Sequence, residues 1–165
     1  MGKIIKFALI GIIAMVIYKH FNTKEQVDGQ NWLQYQFDSD NVVVKFPDKP
    51  KVENISVENL QIEMVRLRRE NVEYGISVFR GESILHAQSG PASLIKKGAE
   101  LISSNNIYVM DYLGDEYHLI YEGRNVTQRF IHLDDSLVSQ IVFFGEGDIP
   151  KRSSQLFLGS LKVLK

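Results

Sequence analysis

From residue 107 to residue 144 the chain repeats one unit, an apolar-rich run of six to nine residues followed by a pair of turn formers. The runs cover residues 107–113, 117–122, 125–133 and 137–144, and the pairs between them are Gly114-Asp115, Gly123-Arg124 and Asp134-Asp135. Two-residue connections join neighbouring antiparallel strands, because only a tight turn returns the chain directly beside itself. The pattern predicts four consecutive antiparallel strands. Turns at those positions pair the second and third runs with residue numbers summing to 247, and the third and fourth with numbers summing to 269. Side chains alternate across a strand. One face then carries Tyr117, Leu119, Tyr121, Val126, Phe130, Leu137, Ile141 and Phe143, and the other carries Ile120, Ile131, Val138, Val142 and Phe144. Both faces are substantially apolar, which predicts a sheet covered on both sides.

Upstream, residues 32–37 and 42–46 flank Asp38-Ser39-Asp40-Asn41 and read as a hairpin. Further strands are expected at residues 51–56, 60–69 and 74–80, with Glu58-Asn59 and Glu70-Asn71 as turns. Residues 91–105 read as a helix: Ser89-Gly90-Pro91 offers a capping hydroxyl and a first-turn proline, and Leu94, Ile95, Leu101 and Ile102 fall in two pairs seven apart. A second helix is expected over residues 150–158, stopped by Gly159. The expected fold class is α+β: an antiparallel β-sheet covered by helices on both faces, an α/β/α sandwich, preceded by one N-terminal transmembrane helix.

That N-terminal expectation rests on residues 4–18, which are apolar except for Lys6. The uninterrupted run of residues 7–18 is short for a full span, but Lys3 and Lys6 can snorkel. No small-x-small cleavage site follows, and Lys19-His20 comes directly after the run, so an uncleaved signal anchor is favoured over a cleaved signal peptide. The domain organisation read from this is residues 1–21 as anchor, 22–31 as a polar stalk and 32–165 as the folded domain. Lys3, Lys6 and the α-amine bias the N-terminus inside. The domain is then extracytoplasmic, periplasmic where the cell has a periplasm.

Without the three lysines of residues 1–21, 16 basic side chains face 20 acidic ones, a net charge of −4. A nucleic-acid partner needs a basic stripe and is not expected. The absence of cysteine excludes disulfides, thiolate metal sites and a thiol nucleophile. No glycine-x-serine-x-glycine elbow or glycine-rich phosphate loop is present, and no residue set calls for a cofactor or a metal. An enzyme is not expected.

Several strings resemble the PsbP-like α/β/α sandwich superfamily. They are Val44-Lys45-Phe46-Pro47 followed by Pro50, Tyr74-Gly75-Ile76-Ser77-Val78, Arg129-Phe130-Ile131 with Ser139-Gln140-Ile141-Val142, and the closing Phe157-Leu158-Gly159-Ser160-Leu161. That superfamily includes a photosystem II extrinsic subunit, a Ran-binding nuclear import factor and DcrB-type bacterial envelope proteins. The resemblance implies a binding or assembly module with no shared catalytic set, and transfers no chemistry. The chain departs from lipoprotein members in lacking a lipobox cysteine.

Two groups of residues are candidates for binding. Trp32 and Tyr35 on the first hairpin suit contact with a protein partner; Arg66 and Arg68, on one face of a later strand, read first as a solvated or edge-protecting face, and as a binding site would suit an acidic partner or anionic headgroups. The registers above set His118, Arg129 and Gln140 side by side on adjacent strands. Such a row either rims the second helix or forms a small anion cleft. The function expected is a membrane-tethered, non-enzymatic binding or assembly domain contacting another envelope or membrane-complex protein, with a small-ligand or lipid-binding module as the alternative.

Overall fold

The computed structural model describes residues 29, 31–37, 41–57, 60–87 and 90–164. In chain order the elements are β1 (Leu33–Phe37), β2 (Val42–Phe46), β3 (Lys51–Val57), β4 (Leu60–Arg69), β5 (Val72–Arg80), α1 (Ser83–Ala87), α2 (Ala92–Lys96), β6 (Glu100–Val109), β7 (Tyr112–Tyr121), β8 (Arg124–His132), β9 (Ser136–Phe144), α3 (Asp148–Gly159) and β10 (Lys162–Val163). Seven strands form one antiparallel sheet in the order β3-β4-β5-β9-β8-β7-β6, and β1-β2-β10 form a second, smaller sheet.

The main core fills the space between one face of the large sheet and a layer made of the small sheet and α3. Val65, Tyr74, Ile76, Val78, Ile131, Val138 and Val142 come from the large sheet, Phe37, Val42, Val44 and Phe46 from the small one, and Phe157 and Leu158 from α3. Phe157 is fully buried, its ring 5.2 Å from both Phe46 and Tyr74. Burying such a side chain contributes about 1.5–3 kcal/mol, so these rings dominate the joint between the layers. The opposite face of the sheet packs Phe130 and Leu137 under Ala87 of α1, and Leu119 and Val126 under Ala99. Being covered on both faces, β9 is buried from Ser136 to Gln140 and at Val142, and partly buried at its other residues.

This architecture corrects the helix-covered α/β/α sandwich. The large sheet is covered on one face by a second sheet together with α3, and on the other by two helices of 5 residues each. The helix expected over residues 91–105 stops at Lys96. Gly98 turns the chain at φ +97°, and Glu100–Val109 continues as a strand on the sheet edge. Ser103-Ser104-Asn105-Asn106 favours that outcome, since these side chains compete with helical backbone hydrogen bonds. Leu101 and Ile102 are exposed there instead of buried. The expected transmembrane helix has no counterpart among the described residues: α3, the longest helix, has 12 residues, and none is long and apolar enough to cross a membrane. The apolar run of residues 4–18 and most of the stalk lie outside the described residues.

Two turns also move. Gly114 lies inside β7, and the β6–β7 turn is Met110-Asp111, where Met110 takes φ +55° without a glycine to announce it. The β7–β8 turn is Glu122-Gly123, at φ +50° and +72°, the pair of left-handed residues a type I′ turn requires. The register sum there is 245, not 247. A shift of two keeps every side chain on its assigned face. The β8–β9 register sums to 269, as expected, and the Glu70-Asn71 turn is where the sequence reading puts it.

Candidate functional site

The corrected register changes who faces whom. His118 lies opposite Thr127, and Glu116 lies opposite Arg129, which in turn lies opposite Gln140. All five side chains occupy the face covered by α3. The Arg129 guanidinium pairs with the Glu116 carboxylate and donates through Nη1 to the Leu158 carbonyl at 3.0 Å. Gln140, fully buried, donates through Nε2 to the Phe157 carbonyl at 2.9 Å. Both carbonyls sit in the last turn of α3, beyond the reach of the helix's own i+4 N–H groups, and the Ser160 N–H caps Phe157 O at 3.1 Å. Ser160 adds a third donor, its Oγ giving a 2.7 Å bond to Phe157 O and accepting one from the Lys45 N–H at 2.9 Å. The row thus seats the C-terminus of α3 on the sheet, and the Arg129 cation sits favourably at the negative end of the helix.

His118 bridges this arrangement to the cleft beside it, with Nδ1 3.2 Å from Thr127 Oγ1 and Nε2 3.0 Å from Glu116 Oε1. The cleft, about 390 Å³, runs between sheet and helix and is lined by Glu116, His118, Thr127, Arg129, Lys151 and Gln155 among others. A hydroxyl, an imidazole and a carboxylate in sequence is an arrangement that can activate a nucleophile. Here the carboxylate already neutralises Arg129, and Thr127 is 4% exposed, which leaves its hydroxyl little room to meet a substrate. The anion slot that Arg129 offers holds the chain's own Glu116. Sequence reasoning missed Glu116 because a sum of 247 sets Arg129 against His118; the i, i+2 spacing of Glu116 and His118 on one strand was the available signal.

The other candidates are held in pairs. Arg66 bonds Glu53 at 2.8 Å, and Lys51 bonds the same carboxylate at 2.7 Å; the two hold Glu53 below the usual carboxylate range. Arg68 lies 3.5 Å from Glu73, which also takes Arg124 at 2.7 Å. These residues form a solvated charge network on the β3–β4–β5 end of the sheet. Trp32 packs edge-on against Tyr74 at 5.9 Å, and Tyr35 donates to Glu63 at 2.8 Å, so the first hairpin is tied into the large sheet through both. Trp32 remains half-buried beside a second cleft. His118 and His132 lie on opposite faces, with His132 3.6 Å from Asp115. Among the described residues no group of acidic or histidine side chains converges as a metal site would require.

The structure adds one surface, of which the sequence reading had placed Leu101 and Ile102 in a helix. The edge strand β6 bears no lysine, arginine or proline and only one acidic residue, Glu100. Leu101, Ile102, Tyr108, Met110, Leu113 and Ile120 are exposed on it and beside it. Tyr108 is 75% exposed and directly opposite Leu113. The other edge, β3, carries Lys51 and Glu53 in ion pairs. Charge protects that edge from strand addition; β6 has only a register skip at Ile102.

No family model matches the chain, and no curated protein matches it in sequence. Among solved structures it is similar to the solution structure of cyanobacterial PsbP (CyanoP) from Synechocystis sp. PCC 6803, with a TM-score of 0.55 at 13% identity over 81% of this chain and 92% of that one. A crystal structure of PA94, a Pseudomonas aeruginosa protein of unknown function, aligns with a TM-score of 0.43 at 14% identity over 79% of this chain and 96% of that one. The first likeness establishes a PsbP-like fold; the second is too distant to add to it. Neither carries a residue role across.

Proposed function

We propose that this protein is a non-enzymatic binding and assembly domain, held at a membrane through residues 4–18 and facing away from the cytoplasm, that docks another envelope or membrane-complex protein along the β6 edge. The observation that carries the reading is the ten-residue edge strand with its exposed Leu101, Ile102 and Tyr108 and no protecting cation or proline. Strand addition takes affinity from backbone hydrogen bonds and specificity from alternate side chains, and it needs such an edge. A membrane tether concentrates the domain near membrane partners, so a modest interface suffices. A DcrB-type envelope role is compatible with this reading.

The test places a photo-crosslinking amino acid at Tyr108, and separately at exposed Leu85 as a control, in the full chain in its own cells. Position 108 is expected to yield one defined heterologous adduct that position 85 does not, and the double substitution Ile102→Lys, Tyr108→Lys is expected to abolish it without unfolding the chain. Equal adducts at both positions, an adduct only with a second copy of the chain, or an adduct that survives the double substitution would refute the reading.

A further inference from the structure

The second cleft lies on the opposite flank of α3 from His118. It measures about 390 Å³ and is lined by Trp32, Lys45, Lys162, Gln155, Leu156 and Ser160, with Gly29 and Gly159. Lys162 pairs with Val43 across β10 and β2, and Lys45 stands two residues along β2 from Val43, so both lysines rise from the same face of the small sheet. Among the described residues neither lysine has an acidic partner, and no acidic side chain lines the cleft. This contrasts with Lys51, Arg66, Arg68, Arg124 and Arg129, all in ion pairs.

The helix end beside the cleft would ordinarily repel an anion. Here the Phe157 and Leu158 carbonyls are already bonded by Gln140, Ser160 and Arg129, so the two lysines add uncompensated positive charge. Leu156 and the Trp32 ring make the lining partly apolar, and the Gln155 amide supplies a neutral polar group, the Ser160 hydroxyl being already bonded to Phe157 O and the Lys45 N–H. Two cations, a neutral polar group and an amphipathic ring suit a phosphate group attached to an apolar or hydroxylated body.

The position of the cleft names the source. Gly29 lines the cleft beside Leu156, and only residues 19–28 separate it from the apolar run ending at Tyr18. Ten residues reach at most about 35 Å. The cleft therefore sits on the part of the domain that a membrane tether keeps nearest the headgroups. We infer that the cleft between Trp32, Lys45 and Lys162 binds the phosphate headgroup of an anionic membrane lipid. This rests on the tether in the proposed function and is independent of the β6 edge.

Trp32 is the only tryptophan in the chain, so its fluorescence reports on this cleft alone. The full chain, held in maltoside micelles, is titrated with dihexanoyl phosphatidylglycerol, dihexanoyl phosphatidylcholine and inorganic phosphate. The expected result is a saturable change in Trp32 emission with phosphatidylglycerol, at least tenfold weaker affinity for the other two, and about tenfold loss for Lys45→Gln or Lys162→Gln. Lys97→Gln, remote on the α2 side, is expected to bind as the parent does. A silent Trp32 with all three probes, unchanged affinity in both cleft variants, or equal affinity for phosphatidylcholine would overturn the site. Equal affinity for inorganic phosphate would overturn the lipid source and make this a free-phosphate site. Extraction of the chain from native membranes by alkaline carbonate would overturn the tether and leave a positive titration standing, so the two failures are distinguishable.

Discussion

Replacing Arg129 by methionine isolates the interaction that seats α3 on the sheet. The side chain is 21% exposed and its partner Glu116 14%, so the pair is largely but not fully removed from water. Breaking a fully buried pair by deleting one partner costs about 3–5 kcal/mol. Partial exposure, and the hydrogen bond that His118 still makes to Glu116, reduce this to about 2 kcal/mol. The lost charge-assisted bond to the Leu158 carbonyl adds about 1 kcal/mol, since water reaches the freed carbonyl at the cleft. The expected loss is about 3 kcal/mol. At a urea dependence of about 2 kcal/mol per molar, the unfolding midpoint falls by about 1.5 M. Glu116→Gln alone is expected to cost about 1–2 kcal/mol, and the double variant less than the sum of the two, with a coupling energy of at least about 1 kcal/mol. Equilibrium urea unfolding followed by far-ultraviolet circular dichroism and by Trp32 emission measures all four corners. A loss below about 1 kcal/mol for Arg129→Met, or additivity within about 0.5 kcal/mol, would refute the assignment of Arg129 as the helix seat.

Three further outcomes follow from the same geometry. Gln140→Met is expected to lie within about 1 kcal/mol of the parent in the same unfolding assay, because it removes a buried Oε1 that has no partner among the described residues, while Phe157 O keeps Ser160 as donor; a loss above about 2 kcal/mol would contradict this. Gly114→Ala is expected to destabilise by about 2–3 kcal/mol, since a Cβ there would lie 2.5 Å from the Phe130 carbonyl oxygen and backbone would have to move; a midpoint equal to the parent's would show that β7 and β8 are not so close. Burial pushes the Tyr74 hydroxyl above its ordinary value, with the Ser153 hydrogen bond partly opposing. The folded protein therefore holds that proton more tightly than the unfolded chain does, and the contribution is intact below pH of about 10 and lost as pH rises past it. Tyr74→Phe is expected to lower the melting temperature at pH 8 and to flatten its decline between pH 9 and 11; an unchanged slope would remove Tyr74 from the alkaline response.

How much was legible in the sequence differs from element to element. The period-two pattern after residue 107 determined which side chains share a face, and this survived an error in the turn because a register shift of two restores the same alternation. Leu119, Val126 and Phe130 lie on one face, and Ile131, Val138 and Val142 on the other, as the pattern requires. The Glu70-Asn71 turn and the closing Phe157–Ser160 segment were also local, since short-range hydrogen bonds and left-handed residues decide them. Residues 100–105 were not legible, although the strand read from residue 107 continues them. Leu101 and Ile102 repeat the spacing of Leu94 and Ile95, which mimics a helical stripe, and pairing with β7, helped by the weak helix formers at residues 103–106, makes a strand of them.

The polar row shows the same division. Alternation put His118, Arg129 and Gln140 on one face, but the sequence contains no measure of what covers that face. The tertiary structure decided that Glu116 fills the guanidinium of Arg129 and that the last carbonyls of α3 take the remaining donors. It also decided that Lys45 and Lys162, more than a hundred residues apart, share a cleft with Trp32. Local pattern selects strand faces because backbone geometry repeats every two residues; partners across the fold follow from how the layers meet, and no single segment encodes that.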